Sequence, residues 1–368
     1  MYFFLMSYII VIAFIMNKVS TNGKTFKIMF SGFQVSFKGG VFWMILLSAP
    51  FVYVATVRDL SVGTDTASIY KNIYYTGYAV NNWRSSIYEG LFIQYVKMLY
   101  RIYPDFLFLL AVSASIITVV FISYFIVHRR EINVSIAMLI FFAWLFCPGL
   151  NALRQILAVS IAFIGLTLLE KRKPVWAAIL FVVVCFVHVT AIVMFVYFIP
   201  YFLGQNKKWR EKIPMLFFLG PVAMMLFLTT LVKIPIFSKF SDYVGQFSFA
   251  TINTKFYIFP LLMLPLVLVS WNTLVKIKES NYIHLCGYVF IFTTVFMSGF
   301  LWYAFRIMFF FMPSMAILLG QLDKCYTGKF QRRLVNVYIV VALVMAFVFV
   351  YIFRDTDGIY PYVFASQI

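Results

Sequence analysis

Charged residues are scarce in this sequence, and acidic residues are the scarcest of them. Lys, Arg, Asp and Glu make up only 11% of the 368 residues, whereas 64% are hydrophobic. In a soluble domain about a quarter of the residues are charged. The interior of such a domain could not bury so many apolar side chains. This composition excludes a soluble enzyme. Lipid must be the solvent, and at about 20 residues per crossing the length allows about a dozen helices.

Motifs for several kinds of chemistry are also missing. The four cysteines lie in or beside apolar segments and form no CxxC pair, so we expect core thiols without a zinc site or disulfide framework. The Walker lysine loop, HExxH, GxSxG and the glycine fingerprint do not occur, so ATP-driven, zincin, serine-hydrolase and nucleotide-redox activities have no support in the sequence. We therefore predict no metal and no cofactor. The D-x-D at Asp355 and Asp357 is too short to predict a metal site.

Long hydrophobic runs dominate what is present, and they predict an all-α polytopic membrane protein. We expect about 12 transmembrane helices, some of them broken or re-entrant, in a single transmembrane domain over residues 1–368. The runs fall at about 2–16, 41–57, 106–127, 133–148, 154–169, 175–203, 213–234, 256–275, 283–302, 307–322 and 334–353.

The run at 175–203 can be read in two ways. It is long for one crossing and short for two, so it is either a tight hairpin that turns at His188 or a single helix. With the hairpin, 19 of the 30 Lys and Arg residues fall on one side of the membrane, in the loops that include 170–173, 207–212 and 276–279. Cytoplasmic loops retain Lys and Arg, so this asymmetry favours the hairpin and places both termini outside.

The outer segment at about 58–105 is polar and also aromatic, and it is the best candidate for a substrate loop. Tyr70 and Trp83 are candidates for stacking on sugar rings, although aromatic residues are common at membrane interfaces. The end of the segment has an apolar stripe that runs from Leu91 to Ile102, with Lys97 and Arg101 elsewhere around the helix. This pattern predicts an amphipathic helix in the membrane interface, with a further short span as the alternative.

Three arginines, Arg58, Arg154 and Arg306, are predicted at the outer ends of membrane helices. Each could reach lipid headgroups, but three converging guanidiniums would bind a phosphate group. Arg154 has the strongest local support, because the preceding CPGLN breaks one helix and a new helix begins near Asn151. Together with Asn151 and Gln155 it could hold an anion, the alternative being a simple helix cap.

His188 lies among apolar residues at the tip of the proposed hairpin. An ionisable residue at membrane depth is a functional candidate by default, and a histidine can take a proton from a hydroxyl. A neutral histidine bonded to a neighbouring helix is the alternative. Asp65 and Glu89 are carboxylates of the outer segment that could bind a hydroxyl or act as base, although solvated loop charges are the default. His284 falls on the cytoplasmic side and is predicted to be a plain residue of the membrane interface.

These motifs, taken together, resemble the EpsG-like branch of the Wzy polysaccharide polymerases. The resemblance is carried by Arg58 with GTDTASIY, the YEG around Glu89, NALRQILA, HVTAIVMF and YAFRIMFFF. It implies a metal-independent, C-type-like glycosyltransferase of the bacterial cytoplasmic (inner) membrane. The family's motif positions fall at Arg58, Asp65, Glu89, Arg154, His188 and Arg306.

The resemblance also implies the substrates and the side of the reaction. The enzyme would join oligosaccharide repeat units carried on undecaprenyl diphosphate, as both donor and acceptor, with the active site on the periplasmic or extracellular side. Besides membrane lipid, a chain-length regulator and a flippase are possible partners, and the scattered basic residues argue against nucleic acid. Two alternatives stay open: a transporter or flippase of a lipid-linked or anionic glycan, and a glycan ligase with a similar site.

Overall fold

The structure is a computed structural model that describes residues 1–18, 25–30, 33–76, 90–220, 230, 254–299 and 304–365. Within these ranges, six helical stretches are long and apolar enough to cross a membrane, and four apolar helices are shorter. The long stretches are Gly39–Thr56, Phe106–Val127, Val134–Asn151, Leu153–Glu170, Thr254–Ile277 and Lys329–Phe353. The chain is therefore an α-helical membrane protein, while the count of about 12 helices stays a prediction.

The chain packs into two compact units. Unit 1 contains Met1–Ile161, Val183–Val189 and Tyr351–Ile368, and unit 2 contains Ala162–Val182 and Thr190–Val350. All four points where the chain passes from one unit to the other fall inside helical segments. No linker marks a boundary, and the single domain at 1–368 stays a prediction.

Unit 1 holds the N-terminal helices and the C-terminal tail. Its elements are α1 (Tyr2–Lys18), β1 (Thr25–Phe30), β2 (Phe33–Lys38), α2 (Gly39–Thr56), a π-helix (Thr66–Lys71) that continues into α3 (Asn72–Thr76), α4 (Gly90–Ile102), α5 (Phe106–Val127), α6 (Val134–Phe141), a second π-helix (Phe142–Phe146) and α7 (Cys147–Asn151). β1 and β2 form an antiparallel hairpin in which Thr25 pairs with Lys38. The prediction of an all-α chain missed this hairpin.

Polar caps and aromatic packing explain why these helices begin and pack where they do. The side chain of Asp105 accepts a hydrogen bond from the Leu107 amide at the start of α5, at 2.9 Å. Inside the unit, the Phe51 ring lies 4.8 Å from that of Phe146 and 5.7 Å from that of Phe141, in edge-to-face contacts. In lipid, such close packing takes the place of the hydrophobic effect as the force between helices.

Two helices, α8 (Leu153–Glu170) and α9 (Pro174–Cys185), begin in one unit and end in the other. The further helices of unit 2 are α10 (Phe198–Leu203), α11 (Lys207–Arg210), α12 (Ile213–Leu216), α13 (Ile258–Ile277), α14 (Asn281–Ser298), α15 (Met312–Leu319) and α16 (Lys329–Phe347). A 3-10 helix at Val189–Tyr197 leads into α10, and another at Ala304–Phe310 precedes α15.

The segment 174–203 is a hairpin. The ring of Phe181 lies 5.8 Å from that of Phe195 and 5.9 Å from that of Phe198, although a helix that ran straight on would separate Phe181 and Phe198 by about 25 Å. The chain therefore reverses between them, around His188. α9 spans only about 18 Å, which is less than a hydrocarbon core of about 30 Å; that this arm is re-entrant stays a prediction.

Three of the basic loops meet at one end of unit 2. The Nη2 atoms of Arg172 and Arg210 each lie 2.8 Å from Oε1 of Glu279. Lys278 Nζ lies 2.7 Å from Oε2 of Glu170. These ion pairs join loops 170–173, 207–212 and 276–279, which a single crossing at 175–203 would have divided between the two sides of the membrane. The arrangement agrees with the hairpin and excludes the single crossing.

Candidate active site

The outer segment begins with a buried arginine. Arg58 is only 2% exposed, and its Nη1 donates to the Ala55 carbonyl at 3.1 Å while its Nη2 lies 3.5 Å from Thr66 Oγ1. Burial lowers the pKa of the Arg58 guanidinium to about 10, which leaves it charged at neutral pH. Protein surrounds this guanidinium, so the alternative in which Arg58 reaches lipid headgroups is excluded.

The GTDT sequence forms a tight turn against the end of α7. Gly63 has φ of +89°, and its amide donates to the Gly358 carbonyl at 2.8 Å. Thr66 Oγ1 donates within its own turn to the Val62 carbonyl and lies 3.1 Å from the Leu150 carbonyl oxygen. The π-helix that follows is therefore anchored on α7 at its first residue, and it presents Thr66 to Arg58.

Asn151 is the junction of three chain segments. Its Oδ1 accepts from the Asp65 amide at 2.8 Å and from Thr64 Oγ1 at 3.1 Å, and its Nδ2 donates to Asp357 Oδ1 at 3.1 Å. Asn151 is 1% exposed. Asn151 therefore caps the helix of the outer segment and not the helix to which it belongs. Neither of the two roles predicted for it, anion ligand or local cap, includes this junction.

Arg154 stands at the start of α8, directly after the break at Ala152 that the sequence predicted near Asn151. Its main-chain amide lies 3.3 Å from the Tyr70 hydroxyl, and its guanidinium carbon lies 5.8 Å from the centre of the Phe92 ring. Tyr70 is buried, so the proposed stacking on sugar would require a different arrangement of its ring. The neighbouring Gln155 is also buried.

His188 follows the end of α9 at the tip of the hairpin and is half-buried. The same tip contacts α4, where the amide of Leu91 donates to the Phe186 carbonyl at 3.1 Å. α4 confirms the predicted helix, but it has two apolar faces. Phe92, Val96 and Leu99 are buried in unit 1, whereas Leu91, Met98 and Ile102 are exposed. Leu99, which belongs to the predicted apolar stripe, lies on the buried face.

Three predicted site residues are not brought to this cluster by the described structure. Glu89 and Trp83 lie outside the described residues. Arg306 belongs to unit 2, on the 3-10 helix Ala304–Phe310, with its guanidinium 6.0 Å from the centre of the Phe305 ring. Convergence of Arg306 with Arg58 and Arg154 stays a prediction.

The C-terminal tail is a part of the site that sequence reasoning missed. Arg58 forms an antiparallel bridge with Phe364, and the Asp59 amide donates to the Val363 carbonyl at 2.9 Å. The Tyr362 hydroxyl donates to the Val54 carbonyl, and that of Tyr2 donates to the Ile359 carbonyl. The RDTDG sequence, which contains the D-x-D, forms a turn at the start of this tail. Among the described residues, no group of three or more His, Cys, Asp or Glu side chains could hold a metal ion.

A buried histidine in unit 2 was also missed. His284 is fully buried, with Nε2 3.1 Å from Glu170 Oε1 and Nδ1 3.1 Å from Ser314 Oγ. Ser314 Oγ in turn lies 2.7 Å from the Tyr197 hydroxyl. The prediction of a plain interface residue is wrong, because this side chain lies inside a polar network that links α8, α14 and α15.

The cluster in unit 1 thus combines the half-buried guanidinium of Arg154 with hydroxyl and carboxylate groups, while the buried Arg58 holds the turn at Thr66 from inside the protein. Such a set can bind an anionic group and orient a hydroxyl. The EpsG family model matches residues 41–364, so the chain belongs to the EpsG family. Comparisons with curated proteins and with solved structures gave no match.

Proposed function

We propose that this protein is a glycosyltransferase that polymerises oligosaccharide repeat units linked to undecaprenyl diphosphate. Membership of the EpsG family suggests a polysaccharide polymerase. The finer proposal places the reaction at the outer face of the bacterial cytoplasmic membrane, because the loops richest in Lys and Arg belong on the cytoplasmic side.

The observation that carries the proposal is the position of Arg154. Its backbone is held by Tyr70 at a helix break, and its side chain is half-buried beside Phe92. As the glycosidic bond to the donor breaks, negative charge grows on the leaving diphosphate. A guanidinium that is already fixed in place stabilises that charge without reorganisation, and Arg306 would add a second fork.

The acceptor needs a base for its hydroxyl, and His188 is the candidate. The acceptor oxygen attacks the anomeric carbon, its proton passes to His188, and the bond to undecaprenyl diphosphate breaks, so the charge leaves with the diphosphate. Glu89 is the second candidate for this base. Arg58 and Asn151 would act by holding the outer segment in place, while Asp65 and Trp83 would bind sugar. Gln155, like Tyr70, is buried and would reach sugar only with a different arrangement of its side chain.

In this scheme donor and acceptor are both lipid-linked, and no nucleotide is consumed. Metal independence, and any association with a chain-length regulator or a flippase, belong to the same proposal and rest on the family resemblance. Addition of EDTA tests the first of these directly, because the proposed reaction keeps its rate in the presence of the chelator.

The decisive experiment uses purified protein in nanodiscs with a native undecaprenyl-diphosphate repeat unit and follows product length on a gel. We expect a ladder with the wild type and its loss in Arg154→Ala, His188→Ala and Arg306→Ala. Arg101→Ala is the matched control, because Arg101 is an exposed arginine of the same outer segment, and it should keep the ladder.

Other outcomes would replace the proposal. If folded wild-type protein gives no ladder but moves the lipid-linked substrate across the bilayer, the protein is a transporter. A single transfer to an added acceptor would identify a ligase. A ladder that survives Arg154→Ala would remove Arg154 from the site.

A further inference from the structure

A second candidate site lies in unit 2, where the basic loops meet. A cavity of about 220 Å³ is lined by three cationic side chains, Arg172, Arg210 and Lys278, and by two carboxylates, Glu170 and Glu279. The proposed polymerase reaction uses none of these residues. The cavity belongs to the end of unit 2 that charge places at the cytoplasm, so it is separate from the chemistry proposed above.

The charges that line the cavity are not fully balanced. Arg172 and Arg210 share a single carboxylate oxygen, Oε1 of Glu279, at 2.8 Å each, so these three side chains carry a net charge of about +1. Lys278 is neutralised by Glu170. An arginine has five N–H donors, and the Nη1 atoms of Arg172 and Arg210 bond to no other described residue. The cavity therefore retains positive charge and free donors.

The loops around the cavity add to its positive charge. Loops 170–173, 207–212 and 276–279 together contain nine Lys or Arg residues and three Glu residues. Trp176 and Trp209 are exposed beside these loops, and exposed tryptophans near membrane helices lie at the level of lipid headgroups. Basic pockets at the cytoplasmic ends of membrane helices are suited to the headgroups of anionic lipids.

We propose that this cavity binds a phosphate group, either in the headgroup of an anionic phospholipid or as free phosphate. Arginine forks match phosphate oxygens bidentately, and one phosphodiester charge would neutralise the excess on the Arg172, Arg210 and Glu279 set. Arg210 is the inner ligand, because its side chain is 18% exposed and its Nε is fixed on the Gly204 carbonyl at 2.6 Å. Arg172, 66% exposed, is the ligand at the rim.

The test measures binding to delipidated, purified protein by native mass spectrometry, with phosphatidylglycerol, phosphatidylcholine and inorganic phosphate as probes. Arg172→Gln is the first variant, because this exposed side chain contributes little to folding, and Arg172→Gln/Arg210→Gln is the second. The matched control is Lys207→Gln/Lys208→Gln, which removes two charges from the same end of unit 2 without changing the lining of the cavity.

We expect one phosphatidylglycerol per chain, bound about tenfold more weakly by Arg172→Gln and less than twofold more weakly by the control, since a charge-assisted hydrogen bond is worth a factor of about ten. Binding of inorganic phosphate with the same dependence on Arg172, but no preference for phosphatidylglycerol, would support the site and identify free phosphate as its ligand. Equal weakening in variant and control, or no binding of either anion, would overturn the proposal whether or not the protein is a polymerase.

Discussion

Gly63 is a single residue on which the turn of the outer segment depends. With φ of +89°, a Cβ at this position would lie 2.5 Å from the Leu150 carbonyl oxygen and 2.9 Å from Thr66 Oγ1. We predict that Gly63→Ala lowers the free energy of unfolding by about 2 kcal/mol or more, because strain and a backbone clash combine. Unfolding in detergent, followed by tryptophan fluorescence, measures this change.

The control for this prediction is Gly40→Ala. Gly40 lies in α2, and a Cβ there would have no heavy atom within 4 Å. Alanine favours a helix over glycine by about 1 kcal/mol, so the control should be neutral or stabilising. If Gly63→Ala were as stable as the control, the left-handed backbone conformation assigned to Gly63 would be wrong.

The contact between Asn151 and Asp357 predicts a pH-dependent variant. Asn151→Asp places a second carboxylate beside Asp357 Oδ1, 3.1 Å from the present amide nitrogen. Repulsion between the two raises the pKa of one carboxyl in the folded state above its unfolded value. The variant is then closest to wild type below the unfolded pKa, and it loses stability as the pH rises through the folded pKa. Unfolding measured from pH 4 to pH 8 checks this sign.

Exchange of the two residues provides the control for this variant. In Asn151→Asp/Asp357→Asn, the amide at position 357 can donate to the new carboxylate, which still accepts from Thr64 and Asp65. The double variant should recover most of the lost stability at pH 7. An Asn151→Asp variant with no dependence on pH would show that Asp357 does not face this side chain.

Residue types revealed candidate positions but not their partners. Arg58, Arg154 and His188 were found from sequence because charge is rare in an apolar chain. Sequence could not show that Asn151 joins Thr64 to Asp357, 206 positions away from it along the chain. It also placed His284 at an interface, because the carboxylate that makes its burial tolerable, Glu170, lies 114 positions away.

Between the helices of unit 2, a buried carboxylate, Glu170, and an exposed one, Glu279, contribute differently to stability. Glu170 is 6% exposed and bonds both His284 and Lys278 at the joined ends of α8 and α14, whereas Glu279 is 54% exposed. We predict that Glu170→Gln lowers the free energy of unfolding by about 3 kcal/mol, because Lys278 loses a buried partner. Glu279→Gln is the matched control, and it should lower the free energy of unfolding by less than about 1 kcal/mol.

Chemical unfolding of the two variants in the same detergent tests this contrast, and the folded far-ultraviolet spectrum should be unchanged in both. Equal costs for the two substitutions would mean that the network around Glu170 contributes no more than a surface ion pair. A loss on Glu279→Gln that exceeded the loss on Glu170→Gln would contradict the assignment of burial.

Periodicity predicted the amphipathic helix α4 but not which apolar face packs inside. A helix that touches both lipid and protein has two apolar faces, and composition cannot distinguish them. Phe92 proved to be buried and Met98 exposed. The β-hairpin of β1 and β2 was not predicted, because its short alternating strands lie within a basic loop in which charge is the dominant sequence signal.

For the whole molecule, the distribution of charge predicted the membrane topology at 175–203, which hydropathy alone left open. The length of the run at 175–203 allowed one crossing or a hairpin, and the distribution of Lys and Arg favoured the hairpin that the Phe181 contacts now show. Convergence of Arg306 with Arg58 and Arg154 stays a prediction, because it depends on how helices distant in the sequence assemble.

The same topology makes a prediction for the intact protein in cells. With the native cysteines replaced by serine, single cysteines at Lys173 and Lys208 should both react with a membrane-impermeant maleimide only after the cytoplasmic side is exposed, because Arg172 and Arg210 share Glu279. Ser61 is an exposed position of the outer segment. A cysteine there should react in cells whose envelope outside the cytoplasmic membrane has been removed while the cytoplasmic membrane itself stays sealed. Labelling of 173 and 208 from opposite sides would require 175–203 to cross the membrane once, and the hairpin would then be wrong.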